Sequence, residues 1–214
     1  MARELQYAFE RKLVHHCAPT LAGTKPSSLF RCGVLQGKAF PYSAEQQREA
    51  INIAHEKLRS AGVSVSGLQG RSDNVLVLVY RPAHIEGLLR REKHCRLLAR
   101  AGIDTSSCKS CVASLQRRME SFCCQGAPEG CATCDFPHEI GVLLGYPLED
   151  VEGFIENRGK NHLFCGMWKV YSDVERAQSL FACFKQNTKE FDGLFAQCRC
   201  LERLVNHMAP STNS

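Results

Sequence analysis

The chain reads as an α+β protein: a small four-stranded sheet, mixed or antiparallel, with several added helices. Three observations predict this. Residues 63–68 alternate Val-Ser-Val-Ser, and Val75 to Tyr80 is a run of β-branched and apolar residues, with Arg71-Ser72-Asp73-Asn74 as turn chemistry between them. That is a hairpin. Helical spacing of apolar residues recurs on both sides of it. Across residues 29–171 the order is strand, helix, strand, strand, several helices, strand, which is the split βαβ order of ferredoxin-like sheets.

Each element has its own local reason. Leu5, Phe9, Leu13 and His16 fall at helical spacing, and Ala18-Pro19 is expected to close a helix over 3–17. A Gly/Pro/Ser loop ending in Lys25-Pro26 leads to a short strand from Leu29 to Val34. Ser43-Ala44-Glu45-Gln46 is a capping-box pattern, and Ile51, Ala54 and Leu58 form the stripe of a helix ending at Ala61-Gly62. Pro82 opens a helix expected to reach about Arg100, stopped by Gly102. A further helix is expected over about 106–122, then a Cys-rich loop over 123–135 and a pair of helices to about Asn157. Leu163 to Tyr171 is apolar on both faces and reads as a central strand. Ser172-Asp173 caps a helix to about Lys189, a last helix runs to about His207, and 210–214 is expected to be a disordered tail to a single domain over 1–209.

Composition narrows the class. The 214 residues are 44% hydrophobic and 23% charged, ordinary values for a soluble globular chain. No apolar run approaches the roughly 18 residues a membrane span needs. Met1-Ala2-Arg3-Glu4-Leu5-Gln6 lacks the apolar core of a signal peptide, so the expected location is cytoplasmic. There the 13 cysteines are expected as free thiols, metal ligands or redox groups, and their number fits a strongly reducing or anaerobic host. A net charge of +5 does not by itself argue for nucleic acid.

Three segments occur in order: His16-Cys17-Ala18-Pro19-Thr20-Leu21-Ala22-Gly23-Thr24-Lys25-Pro26, residues 136–155, and Gly166-Met167-Trp168-Lys169-Val170-Tyr171. With Tyr80-Arg81-Pro82, Phe195-Ala196-Gln197 and Leu201-Glu202-Arg203-Leu204, they make the chain resemble domain of unknown function 3793, a family of anaerobic Gram-positive bacteria. The resemblance implies a one-domain cytosolic protein. It implies no reaction, ligand or catalytic residue.

Residues 136–155 hold the densest local chemistry. Asp135 is placed to cap a helix with Pro137 at its first position, and Phe136 to pack on its first turn. Gly141 and Gly145 permit close approach of another segment, and Gly145 also suits a left-handed cap. His138 and Glu139 are left over. They are not a zinc-protease pair, because Val142 stands where a second histidine would be needed. They are candidates to line a pocket; a capping or dipole role for Glu139 is the plainer alternative.

Cys17 follows His15 and His16 at a helix C-terminus, where the dipole disfavours a thiolate. A packed thiol is the plain expectation, and a charge from Lys25 or a histidine would reverse it. In that case Cys17 is a nucleophile, His138 or His16 its base, and Lys25 an anion contact. Trp168, the single tryptophan, and Lys169 would border a ligand pocket if Lys25 and His138 converge on them; His16 and Thr20 belong to the same candidate binding set.

Cys108-x-x-Cys111, nineteen residues, then Cys131-x-x-Cys134 is a spacing that suits tetrahedral zinc, or iron in a reducing cell. Against it, the first pair lies in a helical stretch, Cys123, Cys124 and Cys165 compete, and the resemblance does not include these residues. Arg90, Arg91, Lys93, Arg96 and Arg100 make a basic helix face, but Glu86 and Glu92 interrupt it and no aromatics are interleaved. The leading expectation is an accessory protein of anaerobic metabolism that handles a small ligand, a thiol or a metal. An enzyme using Cys17 is second, and a nucleic-acid or protein adaptor through residues 81–100 is third.

Overall fold

The computed structural model describes residues 3–32, 34–35, 38–39, 43–68, 75–124, 137–204 and 207. Helix α1 (Arg3–Leu21) buries Leu5, Phe9, Leu13, Val14 and Cys17 along one face. It runs through Pro19 instead of closing there, because a proline in the last turn removes only one intrahelical bond. The chain then folds back on that turn: the amides of Thr24 and Lys25 donate to Pro19 O at 2.9 and 3.1 Å.

Strand β1 (Ser27–Arg31) follows, then a short hairpin of β2 (Val34–Leu35) and β3 (Lys38–Ala39). Helix α2 (Ala44–Leu58) opens on the capping box read in the sequence. Gln46 N donates to Ser43 Oγ at 3.2 Å, and Ser43 N to Gln46 Oε1 at 2.9 Å. A 3-10 turn over 59–61 leads to β4 (Ser64–Leu68) and β5 (Leu76–Tyr80).

The sheet has the order β1–β5–β4 and is antiparallel throughout. Of its three strands the last in sequence, β5, lies between the other two, as in the split βαβ arrangement. Register sets the two faces. Phe30 opposite Val77 and Val65 opposite Val79 point toward α1 and α2, whereas Leu29 opposite Leu78 and Leu68 opposite Leu76 point the other way. Both faces are buried.

The expected fourth strand is not in this sheet. Residues 163–171 turn back on themselves as a second small hairpin, β6 (Phe164–Cys165) with β7 (Lys169–Val170). Gly166 at the turn lets the Phe181 ring pack against it, since a Cβ there would lie 2.2 Å from Phe181 Cε2. The run is apolar on both sides because Trp168 and Val170 pack on Phe181 and Phe184, in a cluster of their own, while Leu163 stays in solvent.

The second face of the sheet is covered by α3 (Pro82–Leu89), α4 (Glu92–Arg100), α5 (Cys108–Cys124), α6 (Ile140–Leu143) and α7 (Leu148–Glu156). The single helix expected over 82–100 is broken at Arg90–Arg91, with Arg91 extended. The break has a packing reason. In a straight helix Ile85 and Leu97 would point about 120° apart; here both enter one cluster with Leu98. Residues 137–139 form tight turns, so the expected helix start at Pro137 is delayed to Ile140, and Asp135 and Phe136 lie outside the described residues.

Helix α8 (Val174–Cys198) is capped by Asp173, whose Oδ1 accepts from Arg176 N at 2.9 Å. It continues through Lys189, where the sequence suggested an end, and α9 (Leu201–Leu204) follows. Lys57 joins α2 to both chain ends, at 2.7 Å from Glu10 and 3.1 Å from Glu202. Among the described residues, no helix is long and apolar enough to cross a membrane.

Candidate functional site: an aromatic groove where three segments meet

The loop after α1, the α6–α7 turn and the β6–β7 hairpin are far apart in sequence and touch in space. Gly145 adopts φ +75°, and a Cβ there would lie 2.5 Å from Pro26 Cδ, so glycine is required on both counts. Ser27 Oγ adds a hydrogen bond to Leu143 O at 2.6 Å. Lys25 Nζ lies 5.5 Å from the Tyr146 ring centroid and 5.8 Å from that of Phe184. The other side of the junction is aromatic: Tyr146 stacks on Trp168 at 4.7 Å, and Phe181 meets the indole edge-on at 4.4 Å.

Asp150 fixes the hairpin to α7. Its carboxylate is buried and accepts four hydrogen bonds, from Trp168 Nε1 at 2.8 Å, Tyr171 N at 2.8 Å, Ser172 N at 3.1 Å and Ser172 Oγ at 2.9 Å. Among the described residues no cation takes part. The charge is held by donors alone, which is how a buried carboxylate avoids a large desolvation cost. Gly153 lets α7 approach, since a Cβ there would lie 2.6 Å from Tyr171.

Above this junction is a groove of about 330 Å³, lined by His138, Tyr146, Asp150, Phe154, Trp168 and Lys169 among others. Its walls are rings and aliphatic groups. The imidazole of His138 packs on Phe154 at 4.7 Å, and Lys169 Nζ lies 5.8 Å from the same ring while donating to Gly159 O at 2.6 Å. An ammonium with one bond used keeps two N–H groups for a ligand. The volume lies in the range of small-molecule sites, and a mostly apolar lining with few polar groups is their usual chemistry.

The sequence-predicted residues divide accordingly. His138, Trp168 and Lys169 line the groove, and Lys25 is in contact with its Tyr146 wall. Glu139 is half-buried in the turn before α6 and is not among the lining residues. Cys17 is fully buried, and burial pushes its thiol far up despite the charge of nearby Lys25. Lys25 itself is pushed down to about 8 by burial, with Cys17 acting weakly in the opposite sense. A thiol in that setting stays protonated, which favours the packed-thiol reading. Thr20 is buried and shares a hydrogen bond with Ser28 Oγ at 2.8 Å. His16 lies elsewhere, stacked on Phe30 at 5.6 Å beside a different groove.

Cys108 and Cys111 are buried in the cluster under α5, where burial pushes their thiols up to about 11 and about 12. Cys131 and Cys134 lie outside the described residues. Among the described residues no group of three or more His, Cys, Asp or Glu is arranged to hold a metal ion.

Sequence reasoning missed Arg81 and Asp150. Arg81 is buried and donates to three carbonyls, Thr20 O at 2.7 Å, Leu21 O at 2.6 Å and Ala61 O at 3.1 Å, closing the C-terminus of α1. The signal for Arg81 was its place between a strand end and Pro82. No such signal marks Asp150, which reads as an ordinary first-turn acid of α7.

No curated protein and no solved structure matches the chain. The family described as a protein of unknown function, DUF3793, matches residues 13–205. Since that span covers most of the chain, the chain belongs to this family.

Proposed function

We propose that this protein binds a small, flat, apolar molecule carrying a carboxylate or similar acceptor, in the groove between α7 and the β6–β7 hairpin. The observation that supports this most is the combination of the Tyr146–Trp168 stack and Phe154 with the Lys169 ammonium. Rings supply area for an aromatic or aliphatic body, and Lys169 supplies a charge-assisted hydrogen bond to an anionic head. His138 stands at the same wall, packed on Phe154. The reading is a binding role, because the Cys17 thiol is buried and held protonated.

Trp168 is the single tryptophan, so its emission reports on the groove alone. Titration with 1-naphthoate is expected to change that emission saturably, and 1-naphthalenemethanol to bind about tenfold more weakly. Lys169→Met should remove the difference while leaving the alcohol unaffected. Saturation by neither compound, or an equal response in Lys169→Met, defeats the proposal.

A further inference from the structure

A second groove, of about 820 Å³, runs between the described faces of α1 and α8. On α1 it is lined by two ridges at i, i+4 spacing, Tyr7–Arg11–His15 and Ala8–Lys12–His16; on α8 by Asp192, Phe195, Ala196 and Arg199. Ala8 and Ala196 leave room where larger side chains would bring the helices' surfaces together. The charge is one-sided. Arg11, Arg199 and Lys12 line it with two imidazoles, of which His16 is pushed down by burial and by its neighbours His15 and Lys12, and with a single carboxylate, Asp192, which is already engaged with His15 Nδ1 at 2.8 Å.

Arg199 is held in place by stacking rather than by a carboxylate among the described residues. Arg199 caps α8 in the left-handed region at φ 49°, a conformation that few side chains other than glycine adopt readily. Its guanidinium lies 4.7 Å from the Tyr7 ring centroid, and Tyr7 in turn stacks on Phe195 at 5.6 Å. Arg199 is therefore pinned at one end of the groove by stacking and leaves its N–H fork for a ligand. Arg11 makes no ion pair among the described residues. Between them Lys12 is oriented by a hydrogen bond to Cys32 O at 3.3 Å.

Residues four apart on a helix are separated by about 6 Å along its axis, so Arg11 to His15 and Lys12 to His16 each span about one short polyanion. We propose that the α1–α8 groove binds the di- or triphosphate group of a small molecule, at a site separate from the aromatic groove. Arg11 and Arg199 supply forked donors, Lys12 and the imidazoles supply further N–H groups, and Asp192 holds His15 toward them.

Isothermal titration with sodium tripolyphosphate, against sodium sulfate at matched ionic strength, tests this. One saturable site for tripolyphosphate is expected, with sulfate at least tenfold weaker. Arg11→Gln and Arg199→Gly, the latter suited to the left-handed backbone, should each weaken binding about tenfold. Lys93→Ala on exposed α4 should leave it unchanged. The proposal is overturned by equal affinity for sulfate or by Lys93→Ala matching the groove variants. A deoxythymidine oligonucleotide that binds more tightly than tripolyphosphate would overturn the small-molecule assignment.

Discussion

The indole N–H of Trp168 donates to the buried carboxylate of Asp150 at 2.8 Å, and the same carboxylate holds the amides of Tyr171 and Ser172. One side chain of α7 thus sets the position of the hairpin that forms one wall of the aromatic groove. Asp150→Ala leaves these donors without partners in a buried place. The expected loss is about 3 kcal/mol or more, because each hydrogen bond to a charged group contributes about 1.5–3 kcal/mol. Asp150→Asn keeps the shape but replaces one acceptor with a donor, so a smaller loss is expected. Urea unfolding followed by Trp168 emission measures both, and equal stability in Asp150→Ala would refute the clamp.

Much of this arrangement was legible before the fold was known, and the reasons differ by residue. The capping box at Ser43–Gln46 and the 63–80 hairpin are short-range patterns, so local sequence decides them. Gly145 was readable because a left-handed cap has a residue signature. The fourth strand failed for the opposite reason. Residues 163–171 are apolar on both sides, as in a central strand, yet the partner is an aromatic face of α8 rather than another strand. Periodicity reports that a segment is buried, not what buries it. The expected convergence of Lys25, His138 and Trp168 rests on the three segments that carry the family resemblance; His138 and Trp168 share the groove and Lys25 touches its Tyr146 wall, whereas Asp150 carries no local mark of its four donors.

Gly145 joins the turn after α1 to the α6–α7 turn, and alanine there meets two obstacles at once. Its backbone has φ +75°, and the added methyl would sit 2.5 Å from Pro26 Cδ. Strain of about 1–3 kcal/mol from the backbone alone is expected. The clash should add to it by pushing Lys25-Pro26 away from Tyr146. Gly193→Ala is the control, since a Cβ there meets nothing within 4 Å and lies inside α8. Thermal melts should show a large drop for Gly145→Ala and none for Gly193→Ala.

Arg81 bridges carbonyls of α1 and of the turn after α2 with a fork of three N–H groups. Lysine keeps the charge but presents it at one point, so it cannot reach all three acceptors. Arg81→Lys is expected to cost about 2–3 kcal/mol through the carbonyls left unpaired. Hydrogen exchange should localise the effect: the amides of the last turn of α1 lose protection while those of α5 keep theirs. Uniform loss across the chain would argue against a local cap.

Buried thiols and amines lowered by burial, Lys25 most, make stability depend on alkaline pH in opposite senses. Burial raises Cys17, Cys32, Cys108 and Cys111 from the ordinary 9.0; Cys32 and Cys108 reach about 11 and Cys111 about 12. Such a group keeps its proton in the folded chain and loses it in the unfolded one. Its contribution is complete below pH 9.0 and disappears as pH rises through the folded value. Lys25 behaves in reverse. Burial lowers it from 10.5 to about 8, so its charge destabilises the fold below pH 8 and that cost is relieved between about 8 and 10.5. Lys12 is lowered by burial in the same sense as Lys25, so below 9 the amines act, and above it four thiols oppose them. The urea midpoint should therefore rise slightly from pH 7 to near 9 and then fall steadily toward 11, in the presence of reductant. Lys25→Met should raise the midpoint at pH 7 and reduce the initial rise, and Cys111→Ala should make the alkaline fall shallower. A midpoint that keeps climbing above pH 9 in the unmodified chain would mean that the thiols ionise freely in the folded state.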